Sequence, residues 1–140
     1  MDERKIFTLS QVSLAVQHKI SEATGGQAYW IKAEIAGFKV KTHAYLDLVE
    51  HKNGERAAVM RANIWGSNLL RIRQELGAEA DNILKDGVET LFLARPNYHL
   101  VYGLSLVIEA IDHTYTISAL ERRKQETVAA LKAQGLYDMN

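Results

Sequence analysis

Hydrophobic and polar residues alternate with a period of two through three stretches between Tyr29 and Trp65, the signature of half-buried strands. In the first, Tyr29, Ile31, Ala33 and Ile35 share one face, and Trp30, Lys32 and Glu34 share the other. In the second, Ala44, Leu46 and Leu48 point inward, leaving His43, Tyr45 and Asp47 together on the outside. The third places Ala58, Met60, Ala62 and Ile64 inward and Val59, Arg61, Asn63 and Trp65 outward, with Lys52-Asn53-Gly54-Glu55 as the hairpin turn. Two more strands are expected, from about Val88 to Arg95 and from Gly103 to Asp112, with Pro96-Asn97 marking a bend after the first.

Helical spacing brackets the strands. Thr8-Leu9-Ser10-Gln11 has the form of a capping box, and Leu9, Val12, Val16 and Ile20 then recur as a stripe until Gly25-Gly26 stops the run. That stripe should pack on a sheet. Ser67 to Leu84 gives a weaker helical pattern interrupted at Gly77. Near the end, Thr116 or Ser118 can cap a helix with Ile117, Leu120, Val128 and Leu131 on one side and a charged run, Glu121 to Glu126, on the other.

Helix, three strands, helix, two strands, helix is the order of a mainly β, five-stranded OB-fold barrel with a helix between strands 3 and 4. An SH3-like barrel or an open α+β sheet would also accommodate it. The segments divide as a helical extension over 1–27, the barrel over 28–114 and a terminal helix over 115–140.

Composition narrows the function. The 140 residues are 47% hydrophobic and 24% charged, enough for one core. With 17 basic and 17 acidic residues there is no net charge, so any affinity for nucleic acid must come from a local patch. The absence of cysteine excludes disulfides and thiolate metal sites and fits a cytoplasmic protein; there is no apolar run of membrane-spanning length. Neither a phosphate loop nor a nucleophile elbow occurs, and the acidic residues do not cluster as two-metal chemistry needs. His43 and Asp47 lie about 13 Å apart along one strand face, too far to share one metal. The chain is therefore expected to be non-catalytic and to need no cofactor.

The outward face is informative because exposed Tyr and Trp beside cations suit base stacking and phosphate contact. Tyr45 and Trp65 are the stacking candidates; Lys32, Lys39, Lys41, Arg61 and Arg95 are the phosphate candidates, with His43 as a hydrogen-bond donor. Each has a plainer role open to it: Trp65 can cover the barrel mouth, Trp30 can pack under the first helix, and Arg122-Arg123-Lys124 can be a solvated helix face.

Four segments, Phe7-Thr8-Leu9-Ser10-Gln11, Trp30-Ile31-Lys32-Ala33-Glu34-Ile35, His43-Ala44-Tyr45-Leu46-Asp47-Leu48 and Gly135-Leu136-Tyr137-Asp138, together resemble the N-terminal part of the exodeoxyribonuclease VII large-subunit family, in that family's order. The resemblance implies an OB-fold domain that binds single-stranded DNA without sequence preference and presents it to a following catalytic domain, which degrades it to oligonucleotides. It also implies that the chain ends at the catalytic-domain boundary and that small subunits of the nuclease join through a region beyond it. Three places depart from the family pattern: Lys41-Thr42-His43 replaces the usual Ser-Gly-His, Gly66 follows Trp65 where an Arg is usual, and Thr114-Tyr115-Thr116-Ile117 stands where a Gly-rich stretch commonly precedes the last helix. An assembly module, or an oligosaccharide-binding barrel, are the competing readings.

Overall fold

The computed structural model describes residues 3–118. Five strands, β1 (Tyr29–Val40), β2 (Ala44–Lys52), β3 (Glu55–Ile64), β4 (Val88–His99) and β5 (Gly103–Ser118), close into a barrel in the order β1-β2-β3-β5-β4. All neighbouring pairs are antiparallel except β3 and β5, whose short parallel contact at Ala62↔Leu106 and Asn63↔Val107 completes the closure. This is the five-stranded OB barrel expected from the strand count and helix position.

Local chemistry accounts for the turns. Asn53 (φ 54°) and Gly54 (φ 79°) both sit in the left-handed region, as the two central residues of a type I′ hairpin turn require. In β1 the ladder with β2 shifts register between Ala36 and Lys39, and Gly37 takes φ +61° there. A bulge of this kind bends the strand, so β1 pairs with β4 through its first half and with β2 through its second.

Inside the barrel, the alternation read from the sequence supplies the core: Ala33 and Ile35, Ala44, Leu46 and Leu48, and Ala62 and Ile64 are buried, around the fully buried Phe92 and Ile108. Ala58 is the exception, exposed near the hairpin tip, where the two-stranded ribbon extends past the core. One end of the barrel is closed by α2 (Gly66–Leu76) and a short α3 (Ala80–Ile83), which bury Leu69, Ile72, Leu76, Ala80 and Ile83. The break between them falls at Gly77 (φ +59°), as the sequence suggested.

Three expectations are revised. β4 continues through Pro96 to His99 rather than ending at Arg95, because beyond Ala94 it has no β1 partner and a missing N–H costs nothing on that edge. β5 runs to Ser118, past the expected end at Asp112 and the barrel boundary at 114, so Thr116, Ile117 and Ser118 belong to a strand and not to a helix start. Thr90 anchors the extension: its buried hydroxyl is 3.1 Å from the Asp112 carbonyl and 2.8 Å from Thr116 Oγ1. Next to it, the Thr114 hydroxyl and N–H both donate to the Asp112 carboxylate and hold its pKa below the usual range. The helix proposed for the C-terminus lies otherwise outside the described residues.

The third revision concerns α1 (Leu9–Thr24), which starts on the expected capping box between Thr8 and Gln11 and stops at Gly25 in the left-handed conformation. Its apolar stripe does not face the sheet. Leu9 is 85% exposed, and Val12, Leu14 and Val16 are exposed too. The helix docks through its polar side instead: Ser13 Oγ donates to Tyr98 Oη at 3.2 Å and Gln17 Nε2 to the Tyr98 carbonyl at 3.0 Å. The end of β4 presents the Tyr98 hydroxyl and carbonyl, which take these polar partners.

Candidate nucleic-acid interface

β2 and β3 lie side by side with Tyr45 across from Asn63 and Asp47 across from Arg61. Their outward side chains form the floor of a cleft of about 720 Å³, bounded by the bulge of β1 at Gly37 and Lys39 and by the β4–β5 hairpin with His99 and Tyr102. Four of the residues selected from sequence meet there: Lys39, Tyr45, Arg61 and Trp65. Tyr45 and Trp65 are 46% and 43% exposed, with ring area available to a ligand.

Trp65 is held in place. The His43 ring meets it edge-on at a centroid distance of 4.9 Å, and His43 Nδ1 accepts the Gly66 N–H at 2.7 Å. His43 is thus a brace for the tryptophan. Gly66 fits this corner because a Cβ there would stand 2.9 Å from the Thr42 carbonyl oxygen. Any side chain at this position would force the β1–β2 loop to move. A Gly66→Ala variant is expected to lose about 1–3 kcal/mol of stability through this overlap, measured by thermal melting, and to change the fluorescence of Trp65.

The other predicted cations fall elsewhere. Lys32 lies on the β1–β4 face, seven residues or about 20 Å along the strand from Lys39. Arg95 is on the β4–β5 wall, where its Nε donates to Glu109 Oε1 at 2.8 Å in an ion pair. Lys41 is exposed in the β1–β2 loop, its N–H bonded to the His43 carbonyl, and is not among the cleft residues. Trp30 remains more than half exposed on the β1–β4 side and is not among the cleft residues, so the packing role suggested for it is not what holds it.

Sequence reasoning missed the opposite wall. Tyr102 is 78% exposed, but its ring packs on His99 at 4.7 Å, and His99 Nδ1 accepts the N–H groups of both Val101 and Tyr102. A third aromatic surface therefore faces the same cleft as Tyr45 and Trp65. Asn63 was expected to be exposed but is 8% exposed, with its Nδ2 unpaired, because β5 closes against β3 at that position.

Exposed rings, two cations and a barrel mouth shaped by two loops form a surface that can stack bases and hold a phosphodiester chain. Comparison with known proteins agrees. Residues 7–112 match the family model described as OB-fold nucleic acid binding domain. The chain belongs to this family. The chain is also 30% identical over 117 residues, 79% of its length, to the exodeoxyribonuclease 7 large subunit of Deinococcus radiodurans. That alignment spans 28% of the relative.

Proposed function

We propose that this OB-fold domain binds single-stranded DNA across the β2–β3 face and presents it to the catalytic domain of an exodeoxyribonuclease VII large subunit. The observation that carries the reading is the convergence of Tyr45, Trp65 and Tyr102 with Lys39 and Arg61 on one cleft. Rings that line one cleft can take bases of one strand, and every base offers a π-face, so a strand can slide from one position to the next. Hydrolysis would belong to the catalytic domain, and the small subunits to another region of the same cytoplasmic enzyme. The domain itself contributes grip and direction.

With two cations in the cleft and Lys41 exposed in the β1–β2 loop, the expected number of phosphates neutralised is about two to three, which gives a log Kobs against log salt slope of about −1.5 to −2 for a single strand. Fluorescence anisotropy with a labelled oligo-dT, repeated across a salt series, checks this. A slope near zero would point instead to a neutral ligand such as an oligosaccharide.

The exposed apolar face of α1 favours a second role in assembly, by contact with another protein surface of the nuclease. Light scattering over a concentration series, with Val12→Asp and Val16→Asp as controls, separates the two: self-association lost in those variants supports assembly through α1, and DNA binding unaffected by them keeps the cleft as the DNA site.

A further inference from the structure

Asp47 is the acidic side chain among the described residues that line the cleft, and it is half-buried between Tyr45 and the β3 strand. Its presence there is unfavourable for a surface that only holds phosphates, since it opposes Lys39 and Arg61. It is also not neutralised. Arg61 is its cross-strand partner and the small Ala36 flanks it on β1, yet the Asp47 carboxylate takes part in no ion pair or hydrogen bond among the described residues. A carboxylate partly removed from water, with its lone pairs unspent, is a strong acceptor waiting for a donor.

A base stacked on Tyr45 brings such a donor. Tyr45 and Asp47 are two residues apart on the same face, about 7 Å along the strand, so a ring lying on Tyr45 turns an edge toward the carboxylate. Cytosine N4, adenine N6 and guanine N2 carry N–H groups on that edge; a carboxylate accepting from cytosine N4 is an established pairing of side chain and base. Thymine offers only N3–H, between two carbonyl oxygens whose lone pairs face the carboxylate and repel it.

We propose that Asp47 reads the exocyclic amino group of the base stacked on Tyr45, so that the domain prefers amino-bearing bases over thymine. This deepens the reading of the cleft as a single-strand site and rests on it. The sequence-tolerant grip of the other rings is retained, and the preference arises at one position only.

The test compares oligo-dC and oligo-dT of equal length at pH 7.5 and moderate salt, with an oligomer of 2-pyrimidinone deoxynucleosides, which lack only the 4-amino group of cytosine. The wild-type domain is expected to bind oligo-dC roughly five- to tenfold more tightly than either of the others, the effect of one charge-assisted hydrogen bond at a half-exposed group. Asp47→Ala should collapse that ratio toward one while leaving oligo-dT affinity equal or higher. Equal wild-type affinity for the three oligomers overturns the proposal without needing the variant. So does an Asp47→Ala variant that binds oligo-dC and oligo-dT more tightly by the same factor, which would make the carboxylate a simple repulsive charge. Failure of all three oligomers to bind would overturn the single-strand reading of the cleft, and the base preference with it.

Discussion

Replacing Tyr45 and Trp65 together by alanine is expected to weaken oligo-dT binding by about 2–6 kcal/mol, twice the 1–3 kcal/mol that one stacked base contributes. Even the lower value is a thirtyfold loss of affinity. Both rings stand on the cleft floor with nearly half their surface exposed, so truncation removes ligand contact and little core. The barrel beneath them is filled by Ala44, Leu46, Ala62 and Ile64, which the substitutions leave in place. Trp30→Ala is the matched control. It removes an exposed tryptophan outside the cleft, and its affinity should equal that of the wild type. Anisotropy titrations at one salt concentration measure all three, and equal losses in Trp30→Ala and the double variant would show that stickiness of aromatics in general, and not the cleft, holds the strand.

Phe92→Ala should have the largest effect on stability. Phe92 is fully buried in β4, with Ile31 as its register partner on β1 and Ile111 on β5. It is therefore packed between the strands that close the barrel, and its removal leaves a cavity that the ladder on both sides keeps from collapsing. A loss of about 3–5 kcal/mol follows, a large share of the roughly 5–15 kcal/mol that holds a domain of this kind together. The melting temperature, followed by circular dichroism, should fall by more than about 10 °C. Val59→Ala, on the exposed face of β3, should change stability by no more than about 0.5 kcal/mol.

How far the sequence foretold this structure depended on whether a feature was local. The Asn53-Gly54 turn and the alternation of β1, β2 and β3 are set by neighbours in the chain, and they were legible. So were the capping box of α1 and the break at Gly77. Alternation also identifies which face of a strand is outward, but a barrel has outward faces all the way round. Lys32 and Arg95 were chosen on that basis, and closure carried them to other sectors than Tyr45. Asn63 failed in the opposite sense: outward by alternation, it is covered because β5 pairs in parallel with β3 at that point.

The β4–β5 wall was not legible for a related reason. His99 to Tyr102 form a tight hairpin, where period-two patterning stops, and their meeting with β2 and β3 depends on contacts distant in sequence. The one local clue was an unusual concentration of apolar and aromatic residues, Leu100, Val101 and Tyr102, in a turn, where polar residues are the rule. The orientation of α1 was hidden too. Its stripe predicted burial against the sheet, whereas the polar end of β4 selected the face with Ser13 and Gln17.

Mapping backbone amide shifts by NMR while adding oligo-dT to the 15N-labelled chain tests the central claim most directly, because it locates the strand without any substitution. The cleft account predicts the largest changes at Lys39, Tyr45, Arg61, Trp65 and Tyr102, with Lys32, Arg95 and the outer face of α1 unmoved. Changes concentrated on α1, or on the β1–β4 face around Trp30 and Lys32, would contradict it.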